Sequence, residues 1–123
     1  MKLLIIAAII LNMNICAAED LKFIDSKDDF GYFIDIDTIK LESRNTFSVN
    51  MVIIRANLNE MDVIDLQINH ELKNYTVYSI KTLSYDERAE IKSDMTRRQA
   101  KTYAEKSLMG EIVEFVINGD FKD

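Results

Sequence analysis

The sequence predicts an α+β fold in which an antiparallel meander of five or six β-strands packs against one C-terminal α-helix. Two observations carry this. Between residues 21 and 85 lie segments, separated by turns, in which apolar side chains recur at every second position, and beyond residue 107 the spacing changes to three and four. A third supports it: with no proline and 3 glycines in 123 residues, turns must be built from Asn, Asp, Ser and Lys. Asp28-Asp29, Ser43-Arg44-Asn45, residues 57–59 and Lys73-Asn74 are where such residues cluster.

Residues 1–18 read as a cleavable signal peptide, with Lys2 as the positive start, an apolar run over 3–11, and a small-residue end at Cys16-Ala17-Ala18. Cleavage after Ala18 would start the mature chain at Glu19. The run is too short, and too interrupted by Asn12 and Asn14, for a membrane anchor. Bulky Ile15 before Cys16 disfavours a lipid-modified cysteine. Residues 19–123 are then expected to form a single exported domain, periplasmic, at the cell surface or secreted. That domain contains no cysteine and so no internal disulfide.

The first expected strand, residues 21–25, is the weakest. Residues 32–36 follow, with Tyr32, Ile34 and Ile36 on one face. Phe47, Val49, Met51 and Ile53 alternate with Ser48 and Asn50; Ile64, Leu66, Ile68, His70 and Leu72 alternate with Asp65, Gln67, Asn69 and Glu71. Residues 75–85, rich in Thr, Val, Tyr and Ile, form a further strand. Residues 93–106 tolerate a helix in composition but lack an apolar stripe. Leu108, Met109, Ile112, Val113 and Val116 then mark a helix of about three turns, with Ser107 as N-cap and Gly119 as its stop. Its stripe needs cover, and the strand face carrying Ile64, Leu66 and Ile68 supplies it.

The whole chain has 15 basic and 21 acidic residues; residues 19–123 keep 14 and 21, a net charge of −7. Such a surface repels nucleic-acid backbones and anionic lipid. Without a cysteine, and with His70 as the one histidine, the domain cannot assemble the common nucleophilic or zinc constellations, so neither an enzyme nor a cofactor protein is expected. His70 is in phase with apolar neighbours and reads as a core or rim residue. The acidic stretch 25–37 fails the calcium-loop pattern, with Lys27 at its third position and Ile36 at its twelfth. Asn74-Tyr75-Thr76 matches the N-glycosylation sequon of eukaryotic secreted chains. Arg97, Arg98 and Lys101, with Lys106 nearby, form the one basic cluster and the candidate contact patch for a protein partner; Asp94 and Glu105 are the acids placed to neutralise it.

Tyr32-Phe33-Ile34-Asp35-Ile36-Asp37-Thr38-Ile39 resembles the aromatic-aromatic-Ile-Asp-x-x-[Ser/Thr]-Ile signature of the bacterial surface-adhesin protein E family. Residues 74–87, ending Tyr85-Asp86-Glu87, resemble its later strand, and residues 106–119 its C-terminal helix. The resemblance implies an exported, non-enzymatic module that binds host matrix or serum proteins. Two cysteines of the family fall here at Leu72 and Val116, which implies a buried apolar pair in place of a disulfide, in one core with Ile112 and Ile68. The family's basic inter-strand loop falls at residues 57–61, which contain no Lys or Arg, so host binding does not carry over residue by residue. A periplasmic inhibitor or immunity-type protein bound to a basic enzyme is the alternative that small size and acidity suggest.

Overall fold

The computed structural model describes residues 19–119. The predicted signal peptide and its cleavage site, with Cys16, lie outside them. Strands β1 (Leu21–Lys27), β2 (Phe30–Leu41), β3 (Thr46–Arg55), β4 (Glu60–Asn69), β5 (Asn74–Ser84) and β6 (Glu90–Asp94) form an antiparallel meander in chain order. A 3₁₀ turn at Ala56–Leu58 joins β3 to β4. The short β7 (Lys101–Thr102) also pairs with β5, and helix α1 (Leu108–Ile117) follows. This is the α+β architecture that the two periodicities predict.

Directly opposed residues of an antiparallel pair share a face, so the register sorts the side chains. Phe47, Ile68 and Tyr75 form one row; Val49, Leu66 and Val77 the next; Ile34, Met51, Ile64 and Ile80 a third. Against this face α1 buries Met109, Ile112, Val113 and Val116. Each such side chain contributes about 1.5–3 kcal/mol relative to exposure. Ser107 caps the helix as expected, its Oγ accepting from the Gly110 N–H at 3.2 Å. Gly119, with φ 69°, ends it by donating to the Val116 carbonyl at 3.1 Å.

The signature segment in β2 is a bulge. Its register with β3 slips between Asp35 and Lys40, so residues 36–39 have no direct partners. Thr38 replaces them: its hydroxyl donates to the Asp35 carbonyl at 2.7 Å and accepts from the Asn50 N–H at 2.8 Å. The slip changes the phase of the strand, and Ile39 packs on the same core as Ile34.

Leu72 is not in that core. β4 ends at Asn69, whose side-chain oxygen accepts from the Glu71 and Leu72 N–H groups at 3.1 and 2.9 Å. The chain turns through left-handed Lys73, φ 55°, and leaves Leu72 66% exposed. Val116, Ile112 and Ile68 share one cluster as expected; the Leu72 half of the predicted apolar pair is wrong.

Residues 93–106 contain no helix. From Glu90 to Thr102 the chain runs along the free side of β5, as β6, then an irregular stretch held by Arg98 N–H to Val77 O at 2.9 Å, then β7. The sheet also coils. At about 4.8 Å per strand, β1 and β5 would be about 19 Å apart in a flat sheet. Instead, Arg88 in the β5–β6 turn grips Glu19, ahead of β1, through Nε at 3.1 Å and a terminal nitrogen at 2.6 Å. Val52 and Met61, buried on the face away from α1, lie within this coil.

Candidate functional site

Arg55 and Asp62 occupy strand positions in phase with the core. Arg55 follows Phe47, Val49, Met51 and Ile53; Asp62 precedes Ile64, Leu66 and Ile68. The helix does not reach this end of the face. The row of Ile53, Asp62, Thr82 and Lys92 therefore opens into a cleft of about 380 Å³, whose walls include Arg55, Glu60, Asp94 and Arg98.

The charges on its floor are largely matched. Arg55 holds Asp62 at 2.9 Å with both side chains less than a fifth exposed, and approaches Glu60 at 3.9 Å. Buried Thr82 donates to the second Asp62 oxygen at 2.8 Å. The Arg55 guanidinium also lies 5.5 Å from the centre of the Phe30 ring. Lys92, on the lip, has no ion-pair partner among the described residues.

The three residues expected as a contact patch follow one another along the edge segment but meet different surroundings. Arg98 turns into the cleft and pairs with Asp94 at 2.7 Å. Asp94 lies below the usual carboxylate range, chiefly because its carboxylate accepts the Thr96 N–H, with the Arg98 charge adding to this. Arg97 stacks over Tyr78 at 5.1 Å, and Tyr78 donates to Gln67 Oε1 at 3.1 Å on the opposite face of the sheet. Lys101 opposes Tyr75 and is exposed. Glu105 does not neutralise this group. It pairs with Lys73 at 2.5 Å, which lowers the Glu105 pKa and raises that of Lys73.

At the other end of the molecule, a depression of about 310 Å³ lies between α1 and the β4–β5 turn, lined by His70, Tyr103, Val113 and Ile117 among others. His70 is half-buried, its ring 6.3 Å from that of Phe47, as expected of a rim residue. Burial raises the Tyr103 hydroxyl above its ordinary pKa. The sequon lies within the sheet: Asn74 stands between Asn69 and Thr102, and Thr76 is buried.

Among the described residues, no group of three or more His, Cys, Asp and Glu side chains is placed to hold a metal ion. No helix among them is long and apolar enough to cross a membrane. The cleft residues Arg55, Asp62, Thr82 and Lys92 were not candidates on sequence grounds. The available signal was a charged side chain standing in an apolar phase. Comparison with models of protein families, with curated proteins and with solved structures finds no match.

Proposed function

We propose that this chain is an exported, non-catalytic protein-binding module, of the kind its resemblance to surface-adhesin protein E implies, and that Arg97, Arg98 and Lys101 contact the partner. One observation carries the reading. Residues 91–101 hold four cations, Lys92, Arg97, Arg98 and Lys101, against one acid, Asp94, on the open edge of a domain whose net charge over residues 19–123 is −7. Of these cations only Arg98 is ion-paired among the described residues. The edge therefore concentrates positive potential and draws an acidic surface. Stacking on Tyr78 holds the Arg97 guanidinium in place, where it can take a carboxylate through two parallel hydrogen bonds.

The test is capture of partners by the exported protein from periplasmic extract and from host matrix proteins in parallel, repeated with the double variant Arg97→Glu, Arg98→Glu. The proposal expects an acidic partner, lost in the variant and weakened by salt. Unchanged affinity and salt dependence in the variant would reject the patch. A basic enzyme held equally by both forms would favour the inhibitor reading instead. Intact mass of the exported protein, expected to begin at Glu19, tests the export step.

A further inference from the structure

We infer that the partner at this edge is an extended acidic segment that joins the sheet as an additional strand beside β6, with a carboxylate opposite Lys92 at the mouth of the cleft. This rests on the reading of the chain as a binding module and specifies how the partner is held.

β6 is the last strand in the order of the sheet, and its strand partner is β5. One row of its N–H and C=O groups therefore faces outward without a strand neighbour among the described residues. All five of its residues are exposed. Within it Ile91 is 55% exposed and just beyond it Met95 is 69% exposed, which supplies apolar contact area to whatever lies along the edge.

The register determines what kind of strand fits. Lys92 directly opposes Thr82, which is buried in the cleft floor, so Lys92 lies on the cleft side of the sheet. A residue set opposite Lys92 on an added strand shares that side. Arg55 and Arg98 already have acid partners there, whereas Lys92 has none among the described residues. An acidic residue supplies the missing charge. A second copy of β6, paired about its own centre, would set Lys92 against Lys92, and like charges directly opposed destabilise a sheet. A neutral strand would cover the lysine without pairing it. The shortness of β6, its lysine and the extra residue at Ile91 guard the edge against indiscriminate pairing. Further along the same edge, Arg97 and Lys101 extend the positive field.

The experiment uses the exported protein and three synthetic peptides: alternating Glu and Thr, the same peptide N-methylated at every second residue, and alternating Lys and Thr. Affinity is measured by titration, and backbone contact by amide hydrogen exchange. Strand addition predicts that the Glu-Thr peptide binds and slows exchange within residues 90–94. It predicts about tenfold weaker binding after N-methylation, which removes backbone donors and leaves every charge in place. Lys92→Glu should weaken the Glu-Thr peptide and admit the Lys-Thr peptide. Binding that neither protects residues 90–94 nor responds to N-methylation would overturn strand addition while leaving side-chain docking at Arg97 and Arg98 intact. Absence of binding by the Glu-Thr peptide would also overturn it, and the Arg97, Arg98 double variant with a captured partner then judges the wider reading separately.

Discussion

Replacing Gly110 with alanine sets helix propensity against packing. Gly110 is the third residue of α1, and alanine in a helix is favoured over glycine by about 1 kcal/mol. The added Cβ, however, would stand 2.6 Å from the Glu105 carbonyl carbon and 2.8 Å from the Ala104 carbonyl oxygen, and would overlap the Glu105 oxygen. These are backbone atoms on a tethered segment: the Tyr103 N–H donates to the Lys73 carbonyl at 3.0 Å, and Ser107 Oγ to the Ala104 carbonyl at 2.5 Å. The helix must therefore retreat, which loosens Met109, Ile112 and Val113 in the core. Forced overpacking costs about 1–3 kcal/mol, leaving a net loss of up to about 2 kcal/mol after the propensity gain. For a domain of this size that lowers the Tm by up to roughly 15 °C, measured by thermal unfolding followed by circular dichroism. A Gly110→Ala protein that melts above the wild-type temperature, showing the propensity gain unopposed, would refute the close helix approach.

Three further substitutions probe the core, the exposed turn and the bulge. Val116→Asp places an unpaired charge in the main cluster and should unfold the protein, whereas Leu72→Asp, in an exposed turn, should change stability by less than about 0.5 kcal/mol; equal effects in chemical denaturation would put the helix elsewhere. Burial raises the pKa of Asp35 above the ordinary 3.8, so the folded state binds its proton more tightly than the unfolded state and the wild type loses relative stability as pH rises through that range. Asp35→Asn keeps the one oxygen that accepts from Asp20 and Asp37. The variant should therefore be the more stable at pH 7, with the difference shrinking on acidification toward 3.8; a constant or reversed difference in pH-dependent unfolding would contradict the assigned cause.

The sequence made legible those parts of the fold where one side of an element faces the core and the other faces water. The alternation from Phe47 to Ile53 and from Ile64 to Ile68, and the capped stripe from Ser107 to Val116, match the structure for that reason. The alternation does not say where a strand stops. His70 and Leu72 continue the phase of Ile68, yet the Asn69 side chain captures the next two backbone donors and turns the chain first. Nor does it describe an edge. Residues 90–102 are exposed except for half-buried Arg98 and are interrupted by extra residues, so they carry no period, and their strand character comes from β5 alongside. Arg97 and Arg98 were visible as neighbours, but their separation to opposite faces follows from the extended backbone of the edge, and the ring that Arg97 stacks on, Tyr78, is an extra residue where β5 slips against β4. The cleft was hidden because it lies on the part of the face that no α1 residue lines, which is a property of where the helix packs and not of Arg55 or Asp62.

The grip of Arg88 on Glu19 spans 69 positions of the chain, whereas the pairings of β1 through β6 each join neighbours in sequence. A ribosome delivers the chain from its N-terminus, so β1 to β4 can pair one after another as they emerge, while the coil stays open until residue 88 has appeared. During that interval Val52 and Met61 lie on a half-built sheet with water against them. The first described residue thus waits for a turn 69 positions later, and a chain halted before Arg88 would present apolar surface and an unfinished edge together, the combination that favours aggregation over folding.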